Sequence, residues 1–485
     1  MTSAIRHHDV LPATAADLLQ TFSRGELAPD AVARQTLQGA RAWEPHIGAF
    51  TRLTEDAAMQ AAAESTRRWA AGQPRALEGI PYTVKDTLSV RGFPSRKGSR
   101  ATPDMACEES SPVVQHMEAA GCALVGITTT PEFGVGPLTI SPLTGTTRNP
   151  WDPRRHAGGS SGGAAAAIAA GIGYAAVATD AGGSARIPAA LCGVAGFKPT
   201  AGRFPTYPSN PSFPMASPGI IARNARDLAL FSDTMAQPDA RDPESLAPPA
   251  GPLGGQLEAF ARMPGAERKK TRIAFSTTLG YAERVDPEVV QSVRDAVAHL
   301  EQHGFGVEEA APELTSPVPT FMTLFAATQA YVVGKMTEEQ QALLGPAVSG
   351  AAQRGRALRV EQYLAAQDQR RHYARTLQLF HERYAFLVTP TVATTAFDAQ
   401  RTTPEGFESD PRAWTPFASL FNLTAQPVIS IPCGLSRAGL PIGLQIAGPR
   451  FADAGVLALA HLFEATQPSP IGLPTLPVPD ARDHA

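Results

Sequence analysis

Three features are scarce in this sequence of 485 residues, and each scarcity excludes a class of protein. The cysteines form no C-x-x-C pair, which argues against a disulfide framework or a zinc site and for reduced thiols; they are Cys107, Cys122, Cys192 and Cys433. The net charge is only −3, so no basic field favours nucleic acid or a membrane surface as partner. The longest apolar run, residues 164–178, is shorter than the roughly 18 residues that a membrane-spanning helix needs.

The N-terminus lacks a positive segment followed by an apolar core. Residues 1–19 therefore predict no secretory signal, and we expect a cytoplasmic protein. The 42 glycines and 44 prolines stay below the share of roughly 25 to 30 % that marks low-complexity chains, so we expect the chain to fold. Its length allows roughly two to four domains, or one large α/β unit.

Strands and helices alternate at two places in the chain. Residues 111–128 combine a capped helix with a buried strand, and residues 273–307 repeat the order strand, helix, strand. Three apolar segments, at 385–389, 427–432 and 440–448, predict strands that return to the main sheet. This alternation predicts an α/β fold with a largely parallel sheet.

The composition along the chain predicts four regions. Residues 1–70 form a helical lead-in that packs on the core, and the catalytic core comprises residues 71–235 and 385–475. Residues 236–271 are rich in Pro, Gly and charged residues without periodicity, which indicates a surface excursion. Residues 272–384 are expected to form a smaller α/β and helical region of the same domain, on the substrate side.

The densest chemical signal is a pair of Gly-Ser clusters. GGSSGG at 158–163 precedes an Ala-rich helix, and DAGGSARIP at 180–188 follows a predicted strand. For the first cluster, a flexible linker is disfavoured because the cluster runs straight into an apolar helix. A phosphate loop would need a lysine after the second glycine pair, and none follows Gly162 or Gly163. An α/β-hydrolase nucleophile elbow would need a preceding strand, whereas the prolines in residues 149–156 indicate a loop.

The second cluster suits a nucleophile better, because Ser184 lies between a strand and a helix. The preceding glycines allow a sharp turn whose backbone N–H groups can stabilise an oxyanion. The base is harder to assign: His156 is expected to be a solvated loop histidine. Lys85, at the end of an apolar strand, can act as a base only if burial lowers its pKa by about 3 units. A surface lysine paired with Asp86 is the alternative.

Together, the motifs closely resemble those of the amidase signature family of serine hydrolases. The matching elements are Lys85-Asp86, the GGSSGG cluster and D-x-G-G-S-x-R-x-P, with Ser184 24 positions after Ser160. GVAGFKPT, TPT, PVISIPCG and GLPIGLQIAGP extend the resemblance over roughly residues 10–470. It implies a large mixed, mostly parallel twisted sheet core surrounded by helices.

The resemblance also implies a catalytic mechanism with an acyl-enzyme. Ser184 attacks the amide carbonyl, Ser160 relays the Ser184 proton, and neutral Lys85 receives it. In the family, Ser160 is held by a cis peptide bond. The implied oxyanion hole consists of Ala181, Gly182, Gly183 and Ser184. The implied supporting residues are Ser161, Asp180 and Arg186. Asp180 and Arg186 are expected to brace the nucleophile loop, and Ser161 to support Lys85 or the loop.

Aromatic and small residues near the family's acyl pocket predict an apolar or aryl acyl group. These are Phe133, Gly134, Gly136, Phe204 and Tyr207. The alternative is that the aromatic residues belong to the core. The expected partner is a small-molecule amide, with no nucleic acid and no membrane. No metal is expected, since no cluster has ligand spacing, and no organic cofactor is needed. A homodimer is simply the commonest oligomer.

The same family includes the glutaminase subunit of a tRNA-dependent amidotransferase. The family pattern for that subunit has Ser-Arg-Tyr-Gly-Leu-like and Ala-Ser-Ser-Leu-Asp-like runs after the signature. Here the corresponding residues, 203–207 and 215–219, read RFPTY and MASPG. The departure favours a stand-alone amidase, with an esterase and the amidotransferase component as alternatives.

Overall fold

A mixed sheet of eleven strands organises the computed structural model, which describes residues 11–468 and 471–477. The strands are β1 (Phe50–Leu53), β2 (Pro81–Lys85), β3 (Ala123–Thr128), β4 (Ile140–Ser141), β5 (Gly145–Thr146), β6 (Arg148–Asn149), β7 (Asp152–His156), β8 (Ala175–Asp180), β9 (Ala195–Lys198), β10 (Ser217–Ala222), β11 (Arg272–Phe275), β12 (Gly306–Glu309), β13 (Phe386–Pro390), β14 (Val428–Leu435) and β15 (Pro441–Ala447). Their order in the sheet is β1-β3-β2-β8-β10-β9-β14-β15-β13-β11-β12, and β4-β5 and β6-β7 form two small hairpins.

Helices cover both faces of this sheet. They are α1 (Ala15–Ser23), α2 (Pro29–Ile47), α3 (Glu55–Ala70), α4 (Pro112–Ala119), α5 (Gly162–Ala169), α6 (Arg186–Cys192), α7 (Ala225–Met235), α8 (Leu253–Ala261), α9 (Gly265–Lys270), α10 (Pro287–Gln302), α11 (Val318–Gly334), α12 (Glu338–Ala342), α13 (Pro346–Arg356), α14 (Val360–Phe380), α15 (Leu420–Leu423) and α16 (Asp453–Thr466). No helix in the described ranges is long and apolar enough to cross a membrane.

The α/β class and the mixed sheet are confirmed, but parallel pairing does not predominate. The two segments with a strand, helix, strand rhythm do give parallel pairs, β2 with β3 and β11 with β12. The strands between them pair mostly antiparallel, so that six of the ten pairings in the sheet are antiparallel. The physical reason is connection length: the short turn between β14 and β15 allows only an antiparallel hairpin, whereas parallel strands need a long crossover.

Helix boundaries follow the signals in the sequence at several places. In α10, Pro287 occupies the first turn and the Asp286 side chain accepts a hydrogen bond from the backbone N–H of Glu288. In α1, Leu18 and Phe22 are buried in the main core, as the helical spacing predicts. Residues 1–10 lie outside the described residues. They include part of the predicted helical lead-in and part of the segment that was predicted not to be a secretory signal.

Residues 236–271 are more ordered than the surface excursion that the sequence predicts. The segment contains α8 and α9, and α8 packs against α16. Leu253 and Leu257 of α8 are buried in the main core, four residues apart on one helical face. This short pattern gives little signal in the sequence, because Pro252 precedes it and Gly254 and Gly255 lie within it. The division into four regions itself stays a prediction, although β11 and β12, from residues 272–384, complete the common sheet.

Helix α5 places the first Gly-Ser cluster against the sheet. All eight of its residues are buried, and they pack with Trp43 of α2 and with β8. Only small side chains fit between a sheet and an overlying helix at such close range, which explains the Gly- and Ala-rich composition. The helix begins at Gly162, so that Ser160 and Ser161 precede its first turn at the edge of the sheet.

Candidate active site

Two neighbouring parallel strands bring the polar residues of the site together. Lys85 is the last residue of β2, and Thr179 and Asp180 end β8. Strands β2 and β8 pair in parallel, so their carboxyl ends meet at one edge of the sheet. The loop that leads into α5 brings Ser160 to the same edge. Strand ends and a helix start, all visible in the sequence, thus converge on one place.

Lys85 is buried among hydroxyl groups instead of carboxylates. Its side chain has no exposed surface, and Nζ donates hydrogen bonds to Ser160 Oγ (2.8 Å) and Thr179 Oγ1 (3.0 Å). Burial lowers the pKa of Lys85 to about 7, although the negative charge of Asp180 acts in the opposite direction. The predicted alternative, a surface lysine paired with Asp86, is wrong. Asp86 instead accepts hydrogen bonds from the backbone N–H groups of Arg96 and Gly98.

Thr179 is a site residue that the sequence analysis missed. It immediately precedes Asp180 of the recognised motif, and its hydroxyl accepts a hydrogen bond from the Lys85 amine. The hydroxyl of Thr87 lies 3.4 Å from the same oxygen. The position of Thr179 at the end of the strand paired with β2 is the signal that would have identified it.

The GGSSGG cluster contacts the loop that carries Ser184 through one backbone hydrogen bond. The peptide bond between Gly159 and Ser160 is cis, as the resemblance implies. The Ser161 N–H donates to the carbonyl of Ser184 (3.1 Å), and Ser161 Oγ donates to the carbonyl of Thr179 (3.3 Å). Ser161 therefore contacts the loop that carries Ser184, and its supporting role stays a prediction. Lys85 makes its contacts with Ser160 and Thr179 instead.

The predicted oxyanion loop contains one residue whose N–H group is already engaged. The Gly183 N–H donates to Asp180 Oδ1 at 2.8 Å, so Gly183 is not a free donor and that part of the prediction is wrong. The N–H groups of Ala181, Gly182 and Ser184 donate to no other group within the part of the chain that the structure describes. These three remain available to a ligand, and Ser184 itself is half-buried.

A fully buried ion pair supports the loop that carries Ser184. Arg186 and Asp180 make two parallel hydrogen bonds, Nε to Oδ2 (3.0 Å) and Nη2 to Oδ1 (3.1 Å), and both side chains are fully buried. Burial alone would raise the pKa of Asp180, but the Arg186 guanidinium holds it well below its usual range. Asp180 also accepts from the backbone N–H of Ala185, which ties the carboxylate to the turn around Ser184.

Two amide side chains from the C-terminal half complete this network. Asn422 Oδ1 accepts from Arg186 Nη2 (2.7 Å), while its Nδ2 donates to Asp180 Oδ1 (2.9 Å). Gln445 Oε1 accepts from Arg186 Nη1 (3.0 Å). Each charge of the pair is thus satisfied inside the protein, as a buried charge requires. Neither residue was predicted as a site residue, although Gln445 lies in the GLPIGLQIAGP segment of the family resemblance.

Ser184 lies where two cavities meet. The first, which we call the inner cavity, is lined by residues 134–137, Gly159, Ala181, Gly182, Ser184, Ile187, Val318, Phe321, Met322, Phe325, Arg412, Thr415 and Ser419. The second, the outer cleft of about 630 Å³, is lined by residues 87–89, Lys97, Ser111, Phe133, Gly134, Ser160, Thr179, Ala181, Ser184, residues 206–212, residues 216–218, Phe325, Thr328, Gln329, Tyr331, Val332 and Lys335. Volumes of roughly 300–1,000 Å³ are usual for small-molecule sites.

The predicted pocket residues divide between the two cavities and the core. Gly134 and Gly136 line the inner cavity, and Phe133, Gly134 and Tyr207 line the outer cleft. Phe204 lines neither: it is almost fully buried in the main core, so its assignment to the pocket is wrong. An aromatic side chain buried on all sides contributes to packing, which was the alternative for these residues.

Helix α11 supplies the largest part of the pocket that the sequence did not identify. Phe321 and Phe325 from this helix stack with centroids 5.5 Å apart beside Ser184. Their apolar helix carries no catalytic motif, so nothing in its sequence distinguishes it from a core helix.

We expect Gly182→Ala to lower kcat/KM at least about tenfold. A Cβ at this position would lie 2.6 Å from Cζ of Phe321, so the ring or the loop beside Ser184 must shift. Steady-state kinetics on any cleaved amide measures the effect. In a Phe321→Ala background the added methyl group has room, and the loss from Gly182→Ala should shrink. Equal losses in both backgrounds would contradict the steric explanation.

His156 does not take part in the site. It is buried, contrary to the prediction of a solvated loop histidine, and its Nε2 donates to the backbone carbonyl of Arg401 (2.7 Å). Its ring packs edge-on against Phe397. The segment that was predicted as a loop forms the hairpin β6–β7. Within the described residues, no group of three or more His, Cys, Asp or Glu side chains is arranged to hold a metal ion.

Comparisons with known proteins agree with this geometry. The amidase family model matches residues 31–457. An acylamidase of Rhodococcus erythropolis is 32% identical over 480 residues, covering 94% of this chain and 95% of that protein. One component of a glutamyl-tRNA(Gln) amidotransferase from a Picosynechococcus species is 32% identical over 464 residues, covering 89% and 93%. The crystal structure of a bacterial aryl acylamidase superposes with a TM-score of 0.86 at 28% identity, covering 94% and 96%.

The match of the family model over most of the chain, the relatives of equal length and the shared fold all lead to one assignment. The chain belongs to the amidase signature family and is a hydrolase that acts on amides.

Proposed function

We propose that the protein is a stand-alone amidase that hydrolyses a carboxylic amide through an acyl-enzyme on Ser184. One observation carries the proposal: Nζ of Lys85, fully buried, lies 2.8 Å from Ser160 Oγ, and burial lowers the pKa of Lys85 to about 7. At that pKa, a large fraction of the amine is neutral at neutral pH. A neutral amine has a lone pair for the Ser160 proton while it donates to Thr179.

In the proposed reaction, Ser184 Oγ attacks the amide carbonyl and loses its proton to Ser160 Oγ. Ser160 passes its own hydroxyl proton to the neutral Lys85 amine. When the C–N bond breaks, the proton returns from Lys85 through Ser160 to the leaving nitrogen, which departs as ammonia or an amine. Water then attacks the ester and loses a proton through Ser160 to Lys85. When the ester bond breaks, that proton returns through Ser160 to Ser184 Oγ, and the carboxylate is released.

The free backbone N–H groups are suited to the negative charge that develops on the carbonyl oxygen. Ala181, Gly182 and Ser184 supply these donors, while the Gly183 N–H keeps the Asp180 carboxylate in place. Each oxyanion donor in a preorganised site contributes about 3 kcal/mol to the lowering of the barrier. In this proposal the N–H groups of Ala181, Gly182 and Ser184 contact the substrate, and the N–H group of Gly183 stabilises the loop itself.

For the acyl group, we propose an apolar or aryl body. The inner cavity presents Phe321, Met322 and Phe325 beside Ser184, and stacked aromatic rings favour a flat apolar partner. A bacterial aryl acylamidase with the same fold adds support. A panel of primary, aryl and alkyl amides tests this point. Turnover of small aliphatic amides with no turnover of aryl or longer-chain amides would contradict an apolar pocket.

The lysine base predicts that kcat/KM falls about tenfold for each pH unit below about 7 and is level above it. The sign follows from the neutral amine being the active form, which is lost as pH falls through the pKa. A pH profile from 5 to 9 measures this dependence. Lys85→Arg should abolish it together with most activity, because a guanidinium stays charged.

Lys198 provides a matched control for that profile. It is also fully buried, burial lowers its pKa to about 7, and its Nζ donates to the carbonyl of Pro199. If Lys85 is the base, Lys198→Met retains the inflection near pH 7. Loss of the inflection in Lys198→Met, with its retention in Lys85→Arg, would assign the titration to Lys198 and contradict the proposed base.

Two other functions of the same site remain as alternatives. Relatives of this length include amidotransferase subunits, but residues 203–207 and 215–219 depart from the pattern that the family has there. Copurification with a second chain, or glutamine turnover that responds to tRNA, would favour the amidotransferase. An esterase would cleave aryl esters while leaving the matched amides intact.

A further inference from the structure

We propose that the amide substrate carries a carboxylate, and that Arg412 binds this carboxylate in the inner cavity. This inference rests on the proposed amidase function and specifies its substrate class. Arg412 lines the inner cavity together with Ser184. A group that reaches Arg412 therefore occupies the same cavity as the reacting carbonyl, and its charge becomes part of substrate recognition.

Arg412 is unusual because its guanidinium has no partner of its own. It is half-buried, yet its side chain makes no ion pair or hydrogen bond with any group within residues 11–468 and 471–477. Arg354 repels the guanidinium and Asp410 attracts it, although the Asp410 carboxylate accepts its hydrogen bond from the backbone N–H of Arg412 and not from the side chain. Burial is the main cause that lowers the pKa of Arg412. A carboxylate in the inner cavity would supply the hydrogen-bond and charge partner that this half-buried guanidinium lacks.

The charges that line the two cavities favour an anionic substrate, and Arg412 is the cation among them that lines the inner cavity. Three charged side chains line the two cavities, and all three are cations: Arg412, Lys97 and Lys335. No Asp or Glu side chain is among the described residues that line either cavity. The whole chain has a net charge of −3, so this positive lining is not a reflection of a basic protein. A cleft lined by one sign of charge attracts ligands of the opposite sign.

The shape of the inner cavity limits where the carboxylate sits. Phe321, Met322 and Phe325 form apolar walls, and Arg412 and Thr415 supply polar groups. The inner cavity has a volume of about 70 Å³, so it takes a short apolar end of the substrate with the carboxylate, and the rest of the substrate extends into the outer cleft. A guanidinium binds a carboxylate through two parallel hydrogen bonds, which fixes orientation as well as charge. The carboxylate belongs either to the acyl group or to the leaving amine, and the two types of substrate are distinguished by experiment.

The test compares matched pairs of amides that differ only in a terminal carboxylate or methyl group. One pair carries the difference on the acyl side, as in adipic acid monoamide against hexanamide. The other carries it on the amine side, as in N-benzoyl-6-aminohexanoate against N-hexylbenzamide. We expect wild type to prefer the carboxylate member of one pair at least about tenfold in kcat/KM, because hydrogen bonds to charged groups are strong.

Arg412→Gln should reduce that preference to about one, and Arg412→Lys should retain part of it. Arg262→Gln is the matched control, because it removes an arginine that lines neither cavity and is largely exposed. It should leave the preference unchanged. A wild-type preference for the neutral members, or a carboxylate preference that survives in Arg412→Gln, overturns the proposal.

A binding measurement separates this proposal from the proposed function. Calorimetric titration of adipate into wild type, Arg412→Gln and Arg262→Gln needs no turnover. Loss of binding in Arg412→Gln alone supports the carboxylate site even if no amide is cleaved. If neutral amides are cleaved while adipate does not bind and no carboxylate preference is found, the amidase function stands and the carboxylate site is refuted.

Discussion

Replacement of Ser184 by alanine is expected to lower kcat by at least about 10⁴-fold, the scale seen when a serine nucleophile is removed. Ser184 lies where the inner cavity and the outer cleft meet, and Ala181, Gly182 and Ser184 of its loop line these cavities. In the proposed mechanism, no acyl-enzyme forms without Oγ, and only binding and oxyanion stabilisation remain. Steady-state kinetics on a cleaved amide measures the loss.

The neighbouring cluster provides the control for this experiment. Ser161→Ala removes one hydroxyl that donates to the Thr179 carbonyl at 3.3 Å and keeps the backbone N–H that contacts Ser184. Its effect on kcat should be far smaller. A fluorophosphonate probe, located by mass spectrometry, should label wild type and Ser161→Ala on Ser184. Labelling of Ser160 instead, or cleavage of amides by Ser184→Ala at the wild-type rate, would assign the nucleophile elsewhere.

The largest loss of stability is expected for Arg186→Leu, by about 3–5 kcal/mol in the free energy of unfolding. This substitution leaves the Asp180 carboxylate buried without its cation, and it leaves acceptors on Asn422 and Gln445 unpaired. Asp180 would then be neutralised or solvated, and the turn around Ser184 would lose its anchor. Urea denaturation followed by circular dichroism measures the change in unfolding free energy.

An exposed pair of the same residue types is the matched control. Arg154 and Asp152 make a similar bidentate contact, but the Arg154 side chain is 88% exposed. Exposed ion pairs contribute little because water and salt screen them, so Arg154→Leu should leave the unfolding curve nearly unchanged. Equal destabilisation by Arg154→Leu and Arg186→Leu would show that burial is not what makes the internal pair important.

Much of the fold was predictable because local patterns determine strand and helix ends. The alternation around residues 111–128 and 273–307 predicted the parallel pairs of the sheet correctly. The antiparallel majority was not predicted, because pairing direction depends on which strands become neighbours and how short their connections are. Helix α8 was missed for a different reason: its apolar pair, Leu253 and Leu257, is short and lies among Pro and Gly.

The candidate site was predictable to the extent that it lies in contiguous motifs. Lys85, Ser160 and Ser184 were identified in the sequence, and the contact of Lys85 with Ser160 joins residues 75 positions apart. Phe204 was misassigned because an aromatic residue near a motif has the same sequence signature in a pocket as in a core. Gly183 was included among the oxyanion donors because a sequence does not reveal that Asp180 accepts its N–H.

The sequence by itself determined which residue types stand at the ends of β2 and β8 and before α5, and hence the class of chemistry. Only the tertiary structure decided what surrounds them: Asn422 reaches Arg186 across 236 positions, and α11 and Arg412 close the cavity around Ser184. The physical reason is that local backbone preferences act over a few residues. Burial, ion pairing and pocket shape depend instead on segments that packing brings together from distant parts of the chain.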